Sequence, residues 1–387
     1  MSIRTDLWLS RKPLAGFAIV GAAWSSYFAQ MPVIKAAVGA SDGVYGGVML
    51  LASLGALAAM WLAPLAHGMF GRWALPLGAL LMSAGMLAAG MSSALVAFGL
   101  AMTLASVGAG VTDVLVNVRV SEIESASGRH LMNLNHAMFS FSYAGCALTT
   151  GALRELGWSP AQVFSLLVTL SLLAGWTMLE RRAPDLPSEE IETDAPLPHL
   201  LVWGTGAIVL VAFLAEASAE GWSALHLERT LGGGPAEGAL GPALLGLSMG
   251  IGRLTGHFLA NRLPALPFIT AASLLAAAGL VLVGAAPTLG VAYLGFALAG
   301  LGISVVAPLA LALVGRIVPP KARLTAISRA AALGYGAFFV APPLMGLTSE
   351  ILGLRAGFWV VAGLLTFSIG ALVPLLATRI AARPVLD

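Results

Sequence analysis

Charged side chains make up only 10% of this 387-residue chain. With so few charges and long apolar runs between them, water is excluded as the solvent for most of its length. One cysteine, Cys146, excludes an intrachain disulfide. It lies in an apolar run and reads as a small core side chain. His67, His130, His136, His199, His226 and His257 are scattered without metal spacing, and neither His-Glu-x-x-His nor Cys-x-x-Cys occurs, so no metal is expected. A Walker A motif is missing, which argues against ATP as the energy source. Gly232–Gly234 stands before Pro235 with no strand ahead of it, so it is not a dinucleotide fingerprint, and no cofactor is expected.

What is present is a series of twelve apolar stretches, near 13–35, 42–66, 73–93, 95–118, 133–156, 160–180, 199–226, 239–261, 264–286, 289–315, 324–350 and 355–379. About 20 residues at 1.5 Å each cross the roughly 30 Å hydrocarbon slab. Inside that slab each backbone N–H and C=O must bond within its own helix. The expected fold is therefore an all-α membrane protein with 12 transmembrane helices. The first stretch follows basic residues but is too long for a signal-peptide core, and it reads as a retained helix.

Arg4, Arg11, Lys12, Arg72, Arg129, Arg181, Arg182, Arg262, Arg316, Lys321, Arg323, Arg379 and Arg383 fall in the termini and alternate loops, against Lys35, Arg154, Arg229 and Arg355 on the other side. The positive-inside rule then puts both termini in the cytoplasm. These loop charges suit anionic lipid headgroups rather than nucleic acid. The expected location is a bacterial inner membrane.

The stretch Arg181–His199 is rich in proline and acidic residues and cannot bury enough apolar surface to fold alone. It reads as a cytoplasmic linker, 181–198, between an N-terminal six-helix bundle, 1–180, and a C-terminal one, 199–387. The halves look related. Gly108-Ala-Gly-Val-Thr-Asp113 resembles Gly300-Leu-Gly-Ile-Ser-Val305, Ser53-Leu-Gly55 resembles Ser248-Met-Gly250, and Gly151 to Glu155 resembles Gly346 to Glu350, all at nearly one offset. That spacing points to duplication and two pseudo-symmetric bundles. Glycines inside spans, such as Gly108, Gly110, Gly300 and Gly302, let helices approach closely, for static packing or for sliding. Pro32, Pro308 and Pro342-Pro343 are expected to kink their helices, and Pro308 is a candidate hinge.

A charge at the bilayer centre costs at least about 2.5–3.5 kcal/mol, so the few embedded ionisable groups should face a cavity or a partner. Asp113 and Asn117 share one face of the fourth span, and His136 begins the fifth at similar depth, so a polar cluster of the three is expected. It would bind protons or lock two helices. Glu216 and Glu220 share a face of the seventh span, where two ionised carboxylates repel. Arg253 and Arg329 are the embedded cations. They would snorkel to the interface, form an ion pair that opens during cycling, or anchor an anionic group. Trp24, Tyr27 and Gln30 recur at three-residue spacing on the first span, and Trp222 follows Glu220. Aromatic faces of this kind bind sugars, apolar rings and cations alike. Trp8, Trp73, Trp158 and Trp359 lie nearer span ends and read as interfacial anchors.

Several stretches together resemble the major facilitator superfamily, and more narrowly its fucose-permease-like bacterial branch. They are Asp113-Val-Leu-Val-Asn117 with Glu124, Gly128-Arg129, Met132, His136 and Ser140; Glu216-Ala-Ser-Ala-Glu220-Gly-Trp222-Ser223; Gly295 to Gly302 with Pro308 and Gly315-Arg316; and Leu333-Gly-Tyr335 with Pro342-Pro343 and Gly346. Pro32, Ile34 and Lys35 extend the likeness over nearly the whole chain. The chain departs from the pattern in three places. His67-Gly-Met-Phe-Gly71-Arg72 lacks the aspartate that usually precedes Gly-Arg, Gln30 stands where relatives often carry arginine, and Gly221 stands where they carry aspartate.

The resemblance implies an alternating-access transporter, often driven by protons, whose cleft is lined by spans one, four, seven and ten. The expectation is a secondary active transporter, not an enzyme, acting as a monomer on a small polar organic solute such as a sugar. Uptake with protons ranks slightly ahead of efflux of amphipathic or cationic compounds. Asp113, Glu216, Glu220 and His136 are the proton-coupling candidates. Trp24, Tyr27, Gln30, Asn117, Trp222 and Arg329 are candidate solute contacts, and Arg72, Arg253 and Pro308 candidate gating residues. Two remote alternatives are a non-transporting sensor and an intramembrane hydrolase, the latter built on Ser140, His136 and Asp113.

Overall fold

A computed structural model describes residues 3–129, 131–179, 197–259, 262–319 and 322–381. Of the linker expected over 181–198, all but Leu197 and Pro198 lies outside these residues. The regular structure of the described residues is helical: α1 Ile3–Ala37, α2 Asp42–Phe70, α3 Ala74–Met91, α4 Leu95–Ser127, α5 Met132–Glu155, α6 Pro160–Met178, α7 His199–Leu225, α8 Pro235–Leu259, α9 Ala265–Ala285, α10 Leu289–Ile317, α11 Arg323–Tyr335, α12 Ala337–Leu352 and α13 Leu354–Ala381. Together α11 and α12 make one interrupted crossing, which gives twelve crossings among the described residues. α1 begins and α13 ends on the same face, called here the terminal face; the opposite one is the far face.

Nine stretches of the described residues are long and apolar enough to cross a membrane, one of which spans α2 and α3 together. α5 and α8 are not among them. They carry more polar side chains, such as Asn133, Asn135, His136, Ser140 and Arg253, and they lie against each other across the middle of the molecule. Trp61, Leu173, Trp176 and Phe367 instead point outward, where hydrocarbon replaces water as their solvent.

Packing repeats between the halves. In the first, α1 pairs with α5, α2 with α4, α3 with α4, and α3 with α6. In the second, α7 pairs with α11, α8 with α10, α9 with α10, and α9 with α13. These are the same pairings six crossings apart, so the two bundles are pseudo-symmetric. The contacts between bundles obey the same symmetry, with α5 on α8 and α2 on α12. Small residues permit this closeness. A β-carbon on Gly108 would strike the backbone of α3 at Gly78 and Met82, and one on Gly302 would strike α9 at Ala272 and Ala276.

The eleventh crossing differs from expectation. Pro342-Pro343 lie inside α12, and the helix breaks earlier, at Gly336, whose N–H bonds back to the Leu333 carbonyl. Pro342 has no N–H to give the Phe338 carbonyl. That carbonyl accepts instead from the Ser53 hydroxyl of α2 at 2.8 Å. The proline pair thus frees an acceptor that ties the two bundles together.

Candidate functional site

α1 touches α3, α4, α5, α6, α7 and α8, and α7 touches α1, α8, α10, α11, α12 and α13. Both central helices are surrounded by neighbours along their middle stretches, so exposure there opens onto interior space. On α1 the partly exposed stripe includes Ala15, Ala18, Trp24 and Phe28, and on α7 it includes Phe213, Glu216, Ala217, Glu220 and Gly221. Beyond Gly221 the run from Trp222 to Leu227 is buried. A cleft between the bundles therefore dead-ends at the level of Phe28 and Gly221, where a β-carbon on Gly221 would meet the Phe28 ring at 3.9 Å.

Two layers close the far side of that dead end. The first is aromatic. Tyr27 and Tyr45 share a hydrogen bond between their hydroxyls. Tyr45 stacks on Phe98 at 5.8 Å and meets Trp222 edge-on at 6.0 Å. The second is ionic and lies at the helix ends. Asp42 of α2 accepts from Arg229, Lys35 and Ser349. Arg154 of α5 grips Glu228 with two bonds of 2.6 and 3.0 Å. The Glu350 carboxylate accepts the Gly43 N–H at 2.7 Å.

Toward the terminal face the two bundles diverge. α4 packs mainly on α2 and α3, and α10 mainly on α7, α8 and α9. A cavity of about 730 Å³ opens along the end of α4, lined by Asn117, Val118, Ser121, Glu122, Ser125 and Ala126.

The polar wall of the cleft comes from α4, α5, α7 and α8. Asp113 is exposed to the cleft, and Asn117 donates to its carboxylate at 3.2 Å. Tyr335 stacks on Phe213 at 5.6 Å and lies within electrostatic reach of Asp113 and Glu216. The Arg253 guanidinium donates to Glu216 at 3.3 Å and to the Ser140 hydroxyl at 3.3 Å. Tyr143 is buried and faces Glu220 and Glu216. Its hydroxyl makes no hydrogen bond of normal geometry.

Several expectations change. The cluster of Asp113, Asn117 and His136 forms only in part. His136 packs its ring on Phe17 at 4.8 Å and faces Arg253, because α5 lies mainly against α1 and α8 and only lightly against α4. Arg253 does not snorkel; it turns inward to Glu216. On α1 the residue sharing a face with Trp24 is Phe28, stacked on it at 5.6 Å. Tyr27 and Gln30 are turned into the protein, and both amide atoms of Gln30 lack partners. Trp222 is 3% exposed and belongs to the aromatic layer rather than to the open cleft. Arg329 is half-buried on α11 with no ion pair among the described residues. Arg72 lies over the Trp73 ring at 5.7 Å, and Pro308 is exposed on α10. Ser140 donates to the His136 backbone carbonyl, so it is not joined to the His136 ring as a hydrolytic nucleophile would be.

Sequence reasoning did not single out Phe28, Tyr45, Tyr143, Asp42 or Glu228. Asp42 and Glu228 read as ordinary charges at span ends. Tyr143 carried one usable signal, a polar aromatic one turn from Ser140 on the same helix face.

Residues 205–385 match the family model described as Major Facilitator Superfamily. An uncharacterised MFS-type transporter of Yersinia pestis is 29% identical over 357 residues, covering 90% of this chain and 91% of its own. A bacterial homologue of the human lysosomal transporter Spinster, solved in an inward-facing and occupied conformation, superimposes with a TM-score of 0.76 at 16% identity, covering 98% of both chains. The nucleoside transporter NupG, in a variant form, also gives a TM-score of 0.76, at 12% identity over 95% of this chain and 99% of its own. The architecture is the major facilitator fold, and the chain is a multi-pass membrane transporter rather than an enzyme.

Proposed function

We propose that this transporter, whose fold and relatives support a place in the major facilitator superfamily, moves a small polar organic solute across a bacterial inner membrane by alternating access. The observation that carries this reading is a blind cleft between two symmetric bundles. Three carboxylates, Asp113, Glu216 and Glu220, belong to its inward-facing surfaces. Carboxylates that line an interior cleft in this way are suited to taking up and releasing protons.

Arg72, Arg129, Arg262, Arg316 and Arg379 cluster on the terminal face, which supports a cytoplasmic position for it. The cleft is then open to the cytoplasm and shut toward the outside. Glu216 held by Arg253 is the natural coupling point. A proton on Glu216 weakens the pair and frees Arg253, which lets the wall of the cleft rearrange. Proton-coupled uptake is the favoured direction.

The test uses proteoliposomes with a pH-sensitive dye inside. Adding a transported solute outside should change the internal pH, and an imposed pH gradient should accumulate the solute. Glu216→Gln should abolish accumulation yet leave solute exchange. Solute movement indifferent to the pH gradient would refute the coupling.

A further inference from the structure

The charges at the closed end of the cleft do not balance. Glu216, Glu220 and Arg253 face one another there, two acids against one base. Arg253 is committed to Glu216 and Ser140. Among the described residues Glu220 has no ion-pair partner within 4.0 Å. It faces the Tyr143 hydroxyl, which is itself buried and makes no hydrogen bond of normal geometry. A carboxylate without an ion-pair partner and a buried phenol thus meet at one point.

A flat apolar surface adjoins that point. Trp24 and Phe28 stack at 5.6 Å with an 18° tilt and are the partly exposed residues on this stretch of α1. Phe28 reaches α7 at Gly221, the residue next to Glu220. The three features ask for one chemistry. A carboxylate inside the membrane without an ion-pair partner is costly, so the occupant should be cationic. The phenol oxygen can accept a hydrogen, so the occupant should donate more than one. Ring faces attract a positive charge and bury an apolar skeleton. A neutral hydroxyl would leave the negative charge unbalanced, and an anionic solute would add to it.

We propose that the solute bound in this cleft carries a protonated amine, its nitrogen seated on Glu220 and Tyr143 and its carbon skeleton against Trp24 and Phe28. The proposal rests on the cleft being the solute site, and it narrows the class of solute.

The experiment measures binding to the full-length protein in lipid nanodiscs by calorimetry. It uses matched probes that differ only in amine against hydroxyl: D-glucosamine with D-glucose, and tyramine with tyrosol. At least one amine should bind at least tenfold more tightly than its neutral twin, a difference of about 1.4 kcal/mol. Glu220→Gln, close in shape, should erase that preference, and Glu220→Asp should keep it. Neutral twins binding as well as the amines, no binding by either amine, or full amine affinity in Glu220→Gln would each overturn the proposal. Proton-linked movement of a neutral sugar in proteoliposomes would sink the amine while leaving the transport reading intact. Absence of any proton-linked solute movement would sink both.

Discussion

Arg229, at the far end of the seventh crossing, donates through Nη1 to the Asp42 carboxylate at 2.9 Å and so fastens one bundle to the other. Asp42 is buried and also receives Lys35 at 2.8 Å and the Ser349 hydroxyl. One carboxylate therefore gathers α1, α2, α12 and the end of α7 at the far face. Lys35 and Asp42 are both buried, so removing the carboxylate strands the ammonium, whereas Arg229 is about half exposed and stays solvated. Asp42 is therefore the member on which this latch depends.

Asp42→Asn should release the latch and raise the fraction of molecules open at the far face, by tenfold or more. A cysteine at Tyr45, in a background where Cys146 is alanine, checks this. Its labelling by a membrane-impermeant maleimide added from outside should speed up accordingly. An unchanged labelling rate would remove Asp42 from the closure.

Gly346→Val tests the same closure without touching a charge. A β-carbon there would meet the Asp42 carbonyl oxygen at 2.5 Å and the Gly46 α-carbon at 3.1 Å. Neither is a flexible side chain, so α2 and α12 must separate. The expected phenotype is faster labelling at position 45, as for Asp42→Asn. Normal labelling would mean that the two helices are not in contact in the resting protein.

Arg253→Met should be more harmful than the double change Arg253→Met with Glu216→Gln. The single change leaves Glu216 as an unpaired charge, whereas the double change removes both charges. In thermal unfolding of the purified protein the single variant should melt several degrees below the double one. The reverse order would show that the pair does not stabilise this state.

Glu124→Ala should lower stability while leaving transport in place. Its carboxylate accepts the backbone N–H groups of Leu131 and Met132, the latter at 2.9 Å, at the start of α5. Losing such a cap costs about 1–2 kcal/mol. For a bundle of this size that corresponds to a fall of about 2–8 °C in Tm. Loss of transport with unchanged Tm would assign Glu124 a different role.

Much of the architecture was legible because lipid imposes a coarse rule on sequence. Each crossing needs one apolar run, and α2, α4 and α10 can be drawn from composition alone. The repeat Ser53 with Ser248 and Gly151 with Gly346 gave the two halves. The site was less legible, because what matters there is which way each side chain turns. Trp24, Tyr27 and Gln30 recur at three-residue spacing, but i and i+6 lie well apart around a helix, and Phe28 at i+4 is the residue stacked on Trp24. His136 missed Asp113 because depth alone does not say which helices touch. The latch was hidden because Asp42 and Arg229 are 187 positions apart, and each alone looks like a solvated end.

The most direct test reads both ends of the cleft at once by pulsed electron-spin distance measurement. One labelled pair joins Ser125 on α4 to Arg316 on α10 at the terminal face, and the other joins Leu156 to Leu352 at the far face. When solute and a pH gradient are supplied, the terminal-face distance should shorten as the far-face distance lengthens, within the same population. Distances that stay fixed during transport, or that lengthen together at both faces, would contradict alternating access about this cleft.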